Sequence, residues 1–140
     1  MKNKNGEKIE FIIQKEWYSI KQCKDNPNNM YIFGDNFMRY GKAGQAVIRD
    51  CQNGFGIATK WNPSNNNKAF FSDIKECYNI IDNDIHLLVK YLNNNTVDKV
   101  IFPADGLGTG LSNLQEKAPG VLLYLNNKIK KIFNIDLKRN

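Results

Sequence analysis

The sequence predicts an α/β fold, a three-layer α/β/α arrangement around a mixed, mostly parallel sheet. Three observations predict it. Short apolar runs rich in β-formers alternate along the chain with stretches of helical spacing. Two of those runs end alike, "YIFGDN" leading into "GKAGQ" and "VIFPAD" into "GLGTGL", each ahead of helical sequence. No internal repeat or linker interrupts the pattern, so residues 1–140 read as one domain.

The elements follow in order. "IEFII" (9–13) is a short β-rich strand, and "EWYSIKQCK" a helical turn closed by the turn-formers of "DNPNN". "MYIFGDN" (30–36) is a strand that stops at Gly34-Asp35-Asn36. A loop with Gly41 and Gly44 comes next, then a short helix from near Ala43. "GFGIATKW" (54–61) is another strand, and "NPSNNNK" an exposed loop. Ile74, Cys77, Tyr78, Ile81, Ile85, Leu88 and Leu92 then fall on one helical face. With Ser72 as N-cap they predict a helix of about 20 residues. His86 lies off that stripe and is expected on the solvent side. "DKVIFPA" (98–104) is a buried-type strand running into the glycine turn. The last helix is expected to begin at Ala118-Pro119, since proline suits a first turn, and to bury Val121, Leu122, Leu125, Ile129, Ile132 and Phe133.

Composition narrows the function classes. A hydrophobic content of 41% and 140 residues suffice for a buried core, despite a mean hydropathy of −0.54. No apolar run approaches the roughly 18 residues that cross a bilayer. The charged start "MKNKNGEKIE" does not read as a secretory signal, so the expected compartment is the cytoplasm. Cys23, Cys51 and Cys77 are widely spaced and form no C-x-x-C pair, and His86 is the single histidine. These counts point away from a disulfide framework and a metal site, and no cofactor is expected. The net charge of +6 permits an anionic ligand. Its densest patch, Lys128, Lys130, Lys131, Lys138 and Arg139, reads as a solvated helix face rather than a nucleic-acid arm.

The two similar strand ends are where chemistry belongs. In open α/β sheets ligands bind beyond the carboxyl ends of the strands. Glycines there admit positive φ and keep Cβ atoms away from a ligand, so that successive N–H groups converge on an anion. A following helix N-terminus would add a favourable dipole. The candidate binding residues are Gly34, Asn36, Gly41, Lys42, Gly44, Gln45 and Arg49 in the first segment. In the second they are Gly106, Gly108, Thr109, Gly110 and Leu111. Thr109 and Ser112 offer hydroxyls, while Arg39, Lys42 and Arg49 offer charge against phosphates. Asp35 and Asp105 are turn residues or the carboxylates that position water, the two candidate catalytic groups. Neither loop matches G-x-x-x-x-G-K-[ST] or G-x-G-x-x-G. Phe33, Phe55, Trp61, Phe70 and Phe71 are core residues or a stacking platform for a base.

Residues 27–119, with "YIFGDN", "GKAGQA", "FFSD" and "FPADGLGTGL", resemble a small uncharacterised family of bacteriophage and bacterial proteins. More distantly, the order of parts resembles macrodomains, the ADP-ribose-binding α/β/α fold. "YIFGDN…GKAGQA" is similar to their asparagine-bearing strand end and first glycine loop, and "IFPADGLGTGL" to the loop that wraps the diphosphate. The resemblance implies that Asn36 lies in the distal-ribose region. It also implies that Gly41 and Gly44 form the first phosphate loop, and Gly108, Thr109 and Gly110 the second. The chain departs from that pattern in three ways. It has Gly34-Asp35-Asn36 for the double asparagine, lacks the early Gly-Asp-Ile-Thr segment, and has no aspartate matching the one some hydrolases use after the second loop.

The leading expectation is a module that binds ADP-ribose or a related NAD-derived nucleotide. If it is an enzyme, the reaction is hydrolysis of an ADP-ribose linkage or its phosphate. The alternatives are a phage-encoded sponge that sequesters a host nucleotide immune signal, and a basic nucleic-acid-associated protein. The sequence is silent on oligomeric state.

Overall fold

The computed structural model describes residues 1–137. Its centre is a four-stranded sheet, every pairing parallel, in the order β1-β4-β2-β3. The strands are β1 (Glu10–Gln14), β2 (Asn29–Asp35), β3 (Gly54–Ala58) and β4 (Lys99–Pro103). β3 stops at Ala58, before the expected residue 61, because the chain then leaves the sheet and only Lys60 returns to a bridge with Phe70.

Helices cover both faces. α1 (Ile20–Asp25) is capped by Ser19, whose hydroxyl accepts from the Gln22 N–H at 3.0 Å. α2 (Lys75–Asn94) buries Cys77, Ile81, Ile85, Leu88 and Leu92 of the expected stripe, while Tyr78 is half-buried and Ile74, just ahead of the helix, is exposed. It begins after Ile74, not at Ser72; the Ser72 carbonyl accepts from the Ile74 N–H, so Ser72 closes a turn instead of capping the helix. His86 is exposed. α3 (Leu114–Lys117) is a single turn, and α4 (Pro119–Phe133) starts with Pro119 in its first turn and buries Val121, Leu125, Ile129 and Phe133, while Leu122 and Ile132, also expected inside, pack half-buried at the edge of the core. The helix expected near Ala43 is a 3-10 turn, Gly44–Ile48.

Alternation along the strands divides the core. On one face Met30, Ile32, Val100 and Phe102 pack with α2 and α4. On the other Tyr31, Phe33 and Ile101 pack with Tyr18, Cys23 of α1, and Ala46 and Ile48 of the 3-10 turn. All three cysteines are free thiols. Burial and the neighbouring Cys51 push the Cys23 thiol up to about 12. No helix among the described residues is long and apolar enough to cross a membrane.

This topology fixes where a crevice opens. After β2 the chain turns to the α1 face, and after β4 it turns to the α2/α4 face. β2 and β4 are neighbours, so their connections leave in opposite directions, which makes a topological switch point. Their ladder also ends early, at Tyr31 opposite Ile101. Beyond that pair two side chains stitch the gap. The Tyr18 hydroxyl lies 2.8 Å from the Ile32 carbonyl and 3.1 Å from that of Ile101. The Gln45 amide accepts from the Gly34 N–H at 2.8 Å and donates to the Gly106 carbonyl at 3.0 Å.

Candidate functional site

The cleft at this switch point has two adjoining compartments. One, of about 170 Å³, is lined by Trp17, Gly34, Ala43, Gly44, Gln45, Asp105 and residues 108–112. The other, of about 110 Å³, is lined by Gly34, Asp35, Asn36, residues 40–43, Ala46, Arg49, Lys60, Pro63, Leu111 and Ser112. Gly34, Ala43, Leu111 and Ser112 belong to both, so the cleft is continuous. Of the sequence-derived binding and charge candidates, Gly106 and Arg39 line neither compartment; Gly106 is buried behind the loop, its carbonyl held by Gln45.

The backbone supplies the donors. Among the described residues, the N–H groups of Gly41, Lys42, Ala43, Gly44 and Gln45 donate to no protein acceptor. The same holds for those of Gly108, Thr109, Gly110, Leu111 and Ser112. Two runs of unused donors thus belong to segments that line one continuous cleft, where a nest of N–H groups would suit an oxyanion. The helices that follow are too short for the expected dipole to matter. The 3-10 turn has five residues and α3 has four, so the favourable field comes from the N–H groups themselves.

The first loop is fixed by charge. Arg49 grips Asp35 with both guanidinium nitrogens, one at 2.9 Å, and its Nε donates to the Gly41 carbonyl at 2.8 Å. The Arg49 guanidinium also sits 5.6 Å from the Phe33 ring centre. Asp35 accepts further from the Asn36 N–H at 2.7 Å, and Arg39 stands 3.5 Å away. Asp35 can be buried there because Gly56 faces it: a Cβ on Gly56 would lie 2.3 Å from the carboxylate. Arg39, at φ +60, donates to both oxygens of Asp84 at 2.7 and 2.9 Å. Asp84 is buried on α2 and takes the Ala58 N–H at 2.7 Å. The two arginines, expected to offset phosphate charge, therefore spend theirs on buried carboxylates. Lys42 likewise pairs with Asp50 at 2.6 Å on the exposed rim, and that contact holds the Asp50 carboxyl below the usual carboxylate range.

The second loop is fixed by packing. Leu107 and Leu114 are fully buried in the core. Gly108, at φ +80, lies so close to them that a Cβ would come within 2.4 Å of Leu114 Cδ1 and 2.9 Å of Thr59 Cβ. The Thr59 and Ser112 hydroxyls are 2.7 Å apart. Ser112 is thereby engaged, and the Thr109 hydroxyl is turned to the Asp105 carbonyl. Gly110 differs: a Cβ there would meet nothing within 4 Å. Asp105 is exposed at the mouth of the larger compartment.

Three residues escaped the sequence reading. Trp17 is 75% exposed and stands at the rim of the larger compartment. The signal was there, an isolated indole in the polar segment "QKEWY" just past a strand's carboxyl end. Asp84 lies three residues after Ile81 and four before Leu88, so its place on the apolar stripe marked it as a buried acid in need of a cation. Lys60, only 5% exposed, lines the smaller compartment with its ammonium 4.7 Å from the Phe70 ring centre. Burial lowers its pKa from the ordinary lysine value. No local sequence signal marks it. The aromatics considered as a platform are otherwise placed: Phe33 and Phe71 are buried, Phe55 and Trp61 pack partly buried against the core, and Phe70 carries ammonium groups. Of the basic patch, Lys128 pairs with Asp82 at 2.9 Å, Lys130 and Lys131 are exposed, and Lys138 and Arg139 lie outside the described residues.

No curated protein and no solved structure matches the chain. A family model does, over residues 13–128, a span that takes in β2, β4, both glycine loops and every lining residue named above. The chain belongs to that family, DUF7831, a family of unknown function.

Proposed function

We propose that the chain binds ADP-ribose or a related NAD-derived nucleotide, with the diphosphate between the two glycine loops. The observation that carries this reading is the pair of unused N–H runs in segments that line one cleft at the switch point. Backbone donors of this kind favour phosphate oxygens, which accept without needing a proton. Trp17 supports a base at one end, since an exposed indole at the rim offers a stacking face. The compartments, at about 170 and 110 Å³, are each below the roughly 300–1,000 Å³ of a pocket that engulfs its ligand. An extended ligand lying across both, with its base at the open rim, fits that shape. A cytoplasmic location accords with such a ligand.

One observation favours sequestration without chemistry over hydrolysis. Both oxygens of the Asp35 carboxylate are taken up by Arg49, and one also accepts from the Asn36 N–H, so they are not free to position water. A hydrolase reading would rest on Asp105 alone. Calorimetric titration with ADP-ribose, ADP, AMP and a short DNA duplex tests the assignment. The expected order is ADP-ribose tightest, ADP weaker and AMP weakest. Binding to DNA alone, weakening steeply with salt, would replace the reading with the nucleic-acid one. Recovery of unchanged ADP-ribose after long incubation would favour the sponge, and release of ribose or phosphate the enzyme.

A further inference from the structure

Away from the cleft, two of the three cysteines stand together. Cys23 lies buried on α1, and Cys51 follows the 3-10 turn, half-buried and packed against the same core cluster. Both line a cavity of about 390 Å³ that shares no lining residue with the cleft. Their backbones are held in place. The Cys51 N–H donates to the Ile48 carbonyl at 2.9 Å. The Asn53 amide nitrogen lies 2.9 Å from the Cys23 carbonyl and 3.0 Å from those of Asn26 and Asn29. The end of α1 and the turn after Ile48 are thus laced together, with one thiol on each side. After burial, the nearby Cys51 is the main reason the Cys23 thiol titrates high. Cys77 stands apart, in the core on the opposite face of the sheet.

We propose that Cys23 and Cys51 are a modification site, a dithiol that closes to a disulfide by exchange with an anionic small-molecule disulfide. Cys51 is the entering sulfur, because it is the more exposed of the two. Its thiolate attacks one sulfur of the small disulfide, forming a mixed disulfide and expelling the other half as a thiolate that takes up a proton. The Cys23 sulfur then gives its proton to solvent and attacks the Cys51 sulfur. The Cys23–Cys51 bond forms, and the second half leaves in the same way. The chain gives up two electrons and two protons, and the small disulfide becomes two thiols. Charge at the cavity favours an anionic reagent. Lys24 is exposed there and meets no acid among the described residues, whereas Asp50 is already held by Lys42. The bond fastens α1 to the segment that carries Arg49, whose guanidinium clamps Asp35 beneath the first glycine loop. It also restrains the unfolded chain between residues 23 and 51.

The test incubates the folded native chain with oxidised glutathione, alkylates the remaining thiols in denaturant and maps the peptides by mass spectrometry. The expected product is lighter by two hydrogens before alkylation, with Cys23 joined to Cys51 and Cys77 alkylated. It should melt about 5 °C or more above the reduced chain, and dithiothreitol should reverse both changes. Cys23→Ala should stop with glutathione on Cys51. Cys51→Ser should take up glutathione at least tenfold more slowly than the native chain, since the thiols left to it are buried. Cys51 is half-buried, so this comparison holds even if Cys23→Ala folds poorly. Absence of the Cys23–Cys51 bond, a native chain that halts with glutathione on Cys51, or a bond that forms only in urea would overturn the proposal. So would a bond that fails to raise the melting temperature, because the native fold would not then accept it. Equal uptake by Cys51→Ser and the native chain would remove Cys51 as the entering sulfur and overturn it as well.

Discussion

The two glycine loops look alike in sequence and are built on opposite principles. The first is tied down by ions: Arg49 on Asp35 and Arg39 on Asp84, with the arginines also holding loop and strand carbonyls. The second is seated by apolar contact, with Leu107 and Leu114 in the core and Gly108 wedged against Leu114 and Thr59. The ionic wall can afford to be open, because its side chains and not the core hold its shape. The packed wall is rigid because its backbone sits on the core. In both, the support comes from side chains and carbonyls and engages none of the loop N–H groups named above, which stay unused.

The largest effects come from removing either support. Arg49→Met strands a carboxylate whose side chain is 3% exposed, and should cost about 3–5 kcal/mol. Gly108→Val forces a side chain into Leu114 at φ +80, and should cost about 3 kcal/mol or more from overpacking and backbone strain together. Urea unfolding measures both. If the loops are supported as described, adding Asp35→Asn recovers much of what Arg49→Met costs, because no buried charge is then left unpaired, and recovers nothing of the cost of Gly108→Val. An equal response of the two variants would erase the distinction.

Next come variants that spare the supports and fill the cleft. Gly110→Val adds a side chain where nothing stands within 4 Å. It should lower nucleotide affinity at least a hundredfold with an unchanged melting temperature. Trp17→Ala should weaken binding about tenfold, in line with roughly 1–3 kcal/mol for a stacked base, and nucleotides lacking a base should not notice the change. The smallest effect belongs to Lys42→Ala. Lys42 is 61% exposed and paired at the rim, so both affinity and melting temperature should stay nearly unchanged.

The legibility of these features in the sequence followed their range. The α2 and α4 stripes and the four strands were readable because periodicity is local. The glycine loops were readable as backbone features, since Gly108 and Gly44 occupy positive φ. What the side chains do there was not. Gln45 stitches two loops 61 residues apart, and Asp84 meets Arg39 across 45 residues. Nothing within either segment specifies such partners. Arg49 and Lys42 read as phosphate contacts because a cation near glycines suggests an anion, but their nearest anions are Asp35 and Asp50. Lys60 was illegible for the converse reason: its environment comes from Phe70 and the strand ends, none of which marks position 60 in advance.

The central claim is that the unused N–H groups of the two loops hold a nucleotide diphosphate. Paired calorimetric titrations of the native protein and Gly110→Val with ADP-ribose, alongside thermal melts of both, test it most directly. The account predicts one-to-one binding by the native protein, none measurable by the variant, and coincident melts. Absence of binding by the native protein, or equal binding by the two, would contradict it.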